Sequence, residues 1–268
     1  MTILKYGGIM FRCIRTGAFA LLGFLLIYCG CAGKHKPSLG FHKPECARVP
    51  AEMMARIENA GNAFSYPNAN SIIIETIDST IFTEDGGAVF YNFTITKPIT
   101  VKGLKDESVM HLGFDTLLTS IEILYAAVIH PDSTIEFVPD TAIIEQNASG
   151  GVAEIDIYLP NIREKVVHFP QLNNGDAVIY SIKYNMLKPM FTGVISNSSF
   201  FQSYDPIHKN RSVNLIPKSQ ADKIRHKVFN NKNGVVKFRE YDTDEYLSLI
   251  HISEPTRPLY ISYAVFCL

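Results

Sequence analysis

Nucleophilic catalysis by cysteine needs a thiolate, an imidazole that holds it deprotonated and a third group that orients the ring. The chain has five cysteines. Cys13, Cys29 and Cys31 lie near the N-terminus, Cys46 in a segment containing Pro and Lys, and Cys267 at the far end. Neither Cys46 nor Cys267 stands at the start of a credible helix, where the pKa of a thiol falls. His111, His130, His168, His208 and His226 are scattered, with no HxH, HExxH or Cys/His cluster, so no zinc site is expected. Glu84-Asp85 and Asp242–Glu245 fall in turns and lack the alternating oxygen ligands and closing Glu of a calcium loop. The expectation is a chain without catalytic, cofactor-binding or metal-binding residues, and with no cofactor. Asn92, Asn147, Asn197 and Asn210 open Asn-x-Ser/Thr triplets, the pattern of a eukaryotic glycan acceptor.

The cysteine with the clearest assignment is Cys31. Lys5, Arg12 and Arg15 precede an apolar run, Ala18–Tyr28, and small residues follow, the layout of a secretory signal. The run is too short for a comfortable membrane span, which takes about 20 residues. Gly30-Cys31 resembles the end of a bacterial lipoprotein signal, in which the Cys is lipidated and becomes the new N-terminus. Tyr28 and Cys29 depart from the usual residues before it, and Cys29 is the weaker candidate. Met10 is an alternative start. The resemblance implies a lipid anchor at Cys31, hence a partner in the membrane and a place in the bacterial cell envelope, periplasmic or at the outer membrane. Each buried acyl CH₂ contributes roughly 0.8 kcal/mol, so more than one chain holds firmly.

The elements that would carry any site read as strands. Hydrophobic residues make up 47% of the 268, enough for a core, and charged residues 19%, too few for bulk disorder. A net charge of −1 excludes the electrostatic footprint of a nucleic-acid binder, and no nucleic-acid partner is expected. Trp is absent, and the aromatics sit in alternating, β-branched stretches that suit a pleated surface. Residues 32–49 read as a tether. Pro50 opens a short helix that ends before Gly61. Strands follow at Ser71–Phe82, with a simple alternation from Ile73 through Ile77 to Ile81, and at Ala88–Thr96, across a Glu84-Asp85-Gly86-Gly87 turn. More are read at Ile121–Ile129, Thr134–Val138, Ala153–Leu159, Val166–Phe169, Ala177–Asn185, Ser198–Tyr204, Arg211–Ile216, Ile224–Phe229 and Val235–Tyr241. Many short strands and almost no helix predict an all-β, antiparallel β-sandwich over residues 50–246, with a short N-terminal helix.

Several of these landmarks resemble one family. Tyr66-Pro67-Asn68-Ala69 ahead of the first strand, the hairpin with its Asp-Gly tip, His130-Pro131-Asp132-Ser133 between two strands, and Phe169–Ile216 are similar to the bacterial domain of unknown function 3857. Ser133 stands where that family prefers Gly, which suggests a different turn type. The resemblance implies a non-catalytic module that precedes a transglutaminase-like domain in periplasmic or membrane-attached proteins. Its partner would be that domain, in the same chain, and its work would be to position or recognise a protein or cell-wall substrate. The alternative is a free-standing surface lipoprotein that binds protein or glycan. Residues 247–268 stand apart. Leu247–Arg257, LSLIHISEPTR, resembles the conceptual translation of a sequencing-library adapter. That implies a body that stops near Tyr246, with a tail that is neither a strand nor a membrane anchor.

Overall fold

The computed structural model describes residues 48–148, 161–189, 191–231, 234–253 and 263–267. Pro50, with φ −56°, precedes α1 (Ala51–Glu58), and the left-handed Gly61 at φ 105° turns the chain away after it. The strands are β1 (Ser71–Phe82), β2 (Ala88–Pro98), β3 (Val109–Asp115), β4 (Thr119–Ile129), β5 (Ile135–Phe137), β6 (Ile143–Asn147), β7 (Ile162–His168), β8 (Ala177–Met186), β9 (Ser196–Phe200), β10 (Asn210–Pro217), β11 (Arg225–Phe229), β12 (Val236–Asp242), β13 (Tyr246–Ser253) and β14 (Tyr263–Cys267). A second helix, α2 (Val101–Glu107), joins β2 to β3. The expected strand at Ala153–Leu159, the signal, Cys31 and almost all of the tether lie outside the described residues.

The all-β expectation holds. One eight-stranded sheet, ordered β12-β13-β10-β1-β2-β8-β4-β5, is accompanied by two of three strands, β11-β14-β9 and β3-β7-β6. It is antiparallel except between β1 and β10, which run parallel. The Glu84–Gly87 turn, with Gly86 at φ 89°, fixes β1 against β2 from Phe82↔Ala88 to Ser71↔Pro98. A bulge between Ile73 and Glu75 breaks the simple alternation read from the sequence. Ile73 therefore pairs with Thr96 and Ile77 with Phe93, on opposite faces. Ser133 adopts φ 69°, the left-handed conformation that a Gly takes readily.

Helix α1 and the turn after it cover one face of the large sheet, packing Met54 and Ile57 of the helix and Ala60 of the turn on Ile77, Phe93, Ile95, Ala127 and Ile179. The opposite face is covered at both ends. Ala126, Val128 and Val178 pack against Met110, Ile143 and Val167 of β3, β6 and β7. Beyond β1, the small sheet containing β9 lies on β10, where Ser199 and Ser212 share a hydrogen bond of 2.8 Å.

The expectation that no strand follows Tyr246 is not met. Strand β13 starts there and runs to Ser253, hydrogen-bonded to β10 on one side and β12 on the other. Leu247, Ser248, Leu249, Ile250, His251 and Ser253 are buried. Tyr263–Cys267 is likewise a strand, paired with β11 and β9. The apolar alternation of Leu247, Leu249 and Ile250, Ile252 matches what the gap between β10 and β12 requires. Among the described residues no helix is long and apolar enough to cross a membrane.

Candidate functional site

A covered sheet face ordinarily alternates into apolar residues. The middle of this one does not. Register places Thr76, Asp78 and Thr80 of β1 beside Thr94, Asn92 and Phe90 of β2, and beside Asn210, Ser212 and Asn214 of β10. Burying such groups is costly unless each finds a partner. Thr76 bonds Thr94 at 3.1 Å, and Thr94 donates to Asn92 at 3.3 Å. From β9, the Asn197 amide donates to Asn214 at 2.9 Å and to Thr80 at 3.3 Å. Asn210 donates to the Phe200 carbonyl at 2.8 Å. The result is a polar seam, closed where β9 lies on β10 and open over β1 and β2.

The open part is a crevice of about 410 Å³, lined chiefly by Asp78, Thr80, Phe90, Asn92, Tyr184 and Asn197. The Asn92 amide donates to Asp78 Oδ1 at 2.7 Å. Burial pushes the Asp78 carboxyl above its ordinary range, and the Asn92 bond opposes this without cancelling it. Burial also raises Tyr184, with the charge of Asp78 adding to it, and lifts Tyr180 to about 12. Glu107, at the end of α2, is pushed up by burial and by Asp205 and Asp106, against a hydrogen bond from Ser71. Burial thus disfavours negative charge at both Asp78 and Tyr184. The crevice brings no thiol or imidazole to Asp78 among the lining residues. Its lining offers one carboxyl, neutral amides, hydroxyls and aromatic rings.

A family model described as "Domain of Unknown Function with solved-structure structure (DUF3857)" matches residues 84–247, more than half of the 268. The chain belongs to the DUF3857 family. Within this DUF3857 chain the match opens in the β1–β2 turn and closes at the start of β13, so Asn92, Tyr184 and Asn197 fall inside it and Asp78 just ahead of it. The solved structure of a "putative protease" from Parabacteroides distasonis has the same fold, with a TM-score of 0.63 at 13% identity. The likeness covers 74% of the DUF3857 chain but only 40% of that protein. A carbohydrate-binding-module domain, CBM3a-L, from the Clostridium thermocellum scaffoldin cipA reaches a TM-score of 0.28 at 8% identity, over 45% of this chain and 69% of that one, and supports no argument. No curated protein matches the chain.

The residues singled out in the DUF3857 sequence are held apart. Cys31 and Cys46 lie outside the described residues, and Cys267 pairs through its backbone with Arg225 and Ser196. His111 meets Glu164 at 3.1 Å, and His208 meets the Tyr66 hydroxyl at 3.3 Å. His226 stacks on Phe238 with centroids 4.2 Å apart, and His168 ends β7, exposed. His130 sits between Asp176, at 3.0 Å, and Glu136, at 3.4 Å. Among the described residues no group of three or more His, Cys, Asp or Glu is placed to hold a metal. Asp85 accepts from Thr83 and Gly87 within its turn, and Asp242 pairs with Lys218. Of the Asn-x-Ser/Thr positions, Asn92, Asn197 and Asn210 belong to the polar seam. Asp78 was hidden inside a β-branched strand. The signal was there: once the Asp-Gly turn sets the hairpin register, Asp78 faces Asn92 and Thr76 faces Thr94.

Proposed function

We propose that the chain is the non-catalytic N-terminal β-sandwich module of a lipid-anchored, transglutaminase-like protein of the bacterial cell envelope. Its role is to position or recognise a protein or cell-wall substrate. One observation carries this reading: a DUF3857 chain whose fold fills only 40% of a longer protein described as a "putative protease". A module that occupies part of a longer chain works beside the remainder, here a transglutaminase-like domain. Cys31 carries the lipid, residues 32–49 give reach, and the membrane is the second partner.

The tail belongs to the same proposal. Leu247–Leu268 stands where the natural chain continues, and the gap between β10 and β12 belongs to that continuation. His251 supports this. Both its ring nitrogens are buried and without a hydrogen-bond partner, which a strand selected for this place would avoid. Clean DNA read past codon 246 tests the proposal. A frame that continues into a domain with a Cys, His and Asp set is expected. A stop soon after Tyr246 would replace the reading with a free-standing surface lipoprotein. Labelled fatty acid should enter the wild type and not Cys31→Ala.

A further inference from the structure

Strand β1 carries two partly or fully buried carboxylates, and the fold treats them oppositely. Glu75 receives two cations, Arg56 at 2.8 Å and Lys209 at 2.8 Å. Asp78, on the other face, receives a neutral amide, and among the described residues that line its crevice there is no Lys, Arg or His. Everything else around the open carboxyl suits a positive charge brought from outside. Phe90 and Tyr184 place aromatic rings in the lining, and the faces of such rings attract cations through the ring quadrupole. Thr80, Thr119, Asn197 and Ser198 offer neutral oxygen acceptors.

We infer that this crevice binds an organic ammonium group, the side chain of a lysine or a related primary amine, with Asp78 as its counter-ion. An anion would meet the carboxyl and find no donor charge. A purely apolar group would strand the seam's polar atoms. The volume of about 410 Å³ lies in the range of sites that enclose a small ligand. An ammonium has three donors, which the carboxylate and the surrounding oxygens can accept. Its arrival would also reverse the effect of burial, lowering Asp78 back to the charged form. The inference deepens the recognition role proposed above and rests on it. Its test reads binding by this chain alone, so it can fail whether or not a catalytic domain follows.

The test is calorimetric titration of the purified chain with acetyl-Ala-Lys-Ala-amide and with the same peptide carrying norleucine for lysine. The lysine peptide should bind at about millimolar strength or better, and the norleucine peptide at least about tenfold more weakly. Free n-butylammonium should compete. Asp78→Asn keeps the shape and removes the charge, and should lose binding by tenfold or more. Tyr184→Leu removes an aromatic wall on a different strand and should weaken it severalfold, a second readout if Asp78→Asn folds poorly. Glu145→Gln, on β6, should leave it unchanged. Equal binding of the two peptides, no binding up to about 10 mM, or full binding by Asp78→Asn would overturn the inference.

Discussion

Three positions along one strand lead from Glu75, a carboxylate held by two cations, to Asp78, a carboxyl held by a neutral amide. Burial pushes Glu75 upward, but hydrogen bonds and charge from Lys209 and then Arg56 outweigh it and hold the group below its ordinary range. Its stabilising effect is therefore present above the unfolded carboxylate pKa and fades as pH falls through the lower, folded one. Glu75→Gln leaves two cations against the sheet. Breaking a fully buried pair costs about 3–5 kcal/mol, but Lys209 is 39% exposed, so solvent screening reduces the expected loss to about 2 kcal/mol. Urea unfolding at pH 7 measures it, and the difference from wild type should shrink below pH 4. His130 works in the other direction. The hydrogen bond that His130 donates to Asp176 comes first among the causes that raise it, burial opposes, and Glu136 adds. A raised histidine contributes stability that is full below its unfolded pKa and is lost as pH rises through the folded one. Asp176→Asn should therefore cost about 1–3 kcal/mol at pH 6 and clearly less at pH 9, where the imidazole is neutral. NMR titration of His130 should show its pKa fall in the variant.

Among the elements, the β1–β2 hairpin, β4, β8 and β10 were legible because turn residues bracket β-branched runs. Helix α2 was not. It has seven residues and carries Gly103, so local propensity hardly favours it. It is held by contacts far off in sequence. Thr100 caps the Gly103 N–H at 3.0 Å and also donates to Asn70 at 3.1 Å. The backbone then passes so close that a Cβ on Gly103 would stand 2.1 Å from the Asn70 carbonyl oxygen. Gly103→Ala should destabilise the protein by about 2–3 kcal/mol despite alanine's better helix propensity, with thermal unfolding as the readout. Strand β13 was lost for a different reason: its composition resembles something foreign, while its alternation still fits the gap. Its His251 is buried without a hydrogen-bond partner. Burial first, and the neighbouring His226 second, push it down to about 4. An unfolded histidine takes its proton near pH 6.5 and the folded one refuses it, so stability drops by about 3 kcal/mol as pH falls from about 6.5 to 4. His251→Leu should remove most of that slope and raise the melting temperature at pH 5.

For the whole molecule, the covering layers explain where a ligand could sit. The β3-β7-β6 sheet covers the β4–β8 end of one face, and β9 with its partners covers the β10 end. Between them the polar seam stays open over β1 and β2. A single sequence does not reveal such a gap, because it depends on which strands become neighbours. The parallel pairing of β1 with β10 joins residues more than a hundred positions apart. The same sheet order decides what the last residues do. In the sheet, β12 is paired through β13 alone, and in the small sheet β14 joins β11 to β9. A chain ended at Tyr246 would therefore free β12, bare the long edge of β10 and divide the small sheet. Unpaired edges of this kind recruit other chains. Such a chain should lose its single cooperative unfolding transition and form soluble aggregates visible by light scattering. On the reading proposed above, a chain continued past Tyr246 by the residues that clean DNA gives should restore one sharp transition, at a higher denaturant midpoint than the 268-residue chain, because the gap would then hold a strand without a buried, unpartnered imidazole. A chain ended at Tyr246 that unfolds as sharply as the full one would show instead that β13 adds nothing to the sheet.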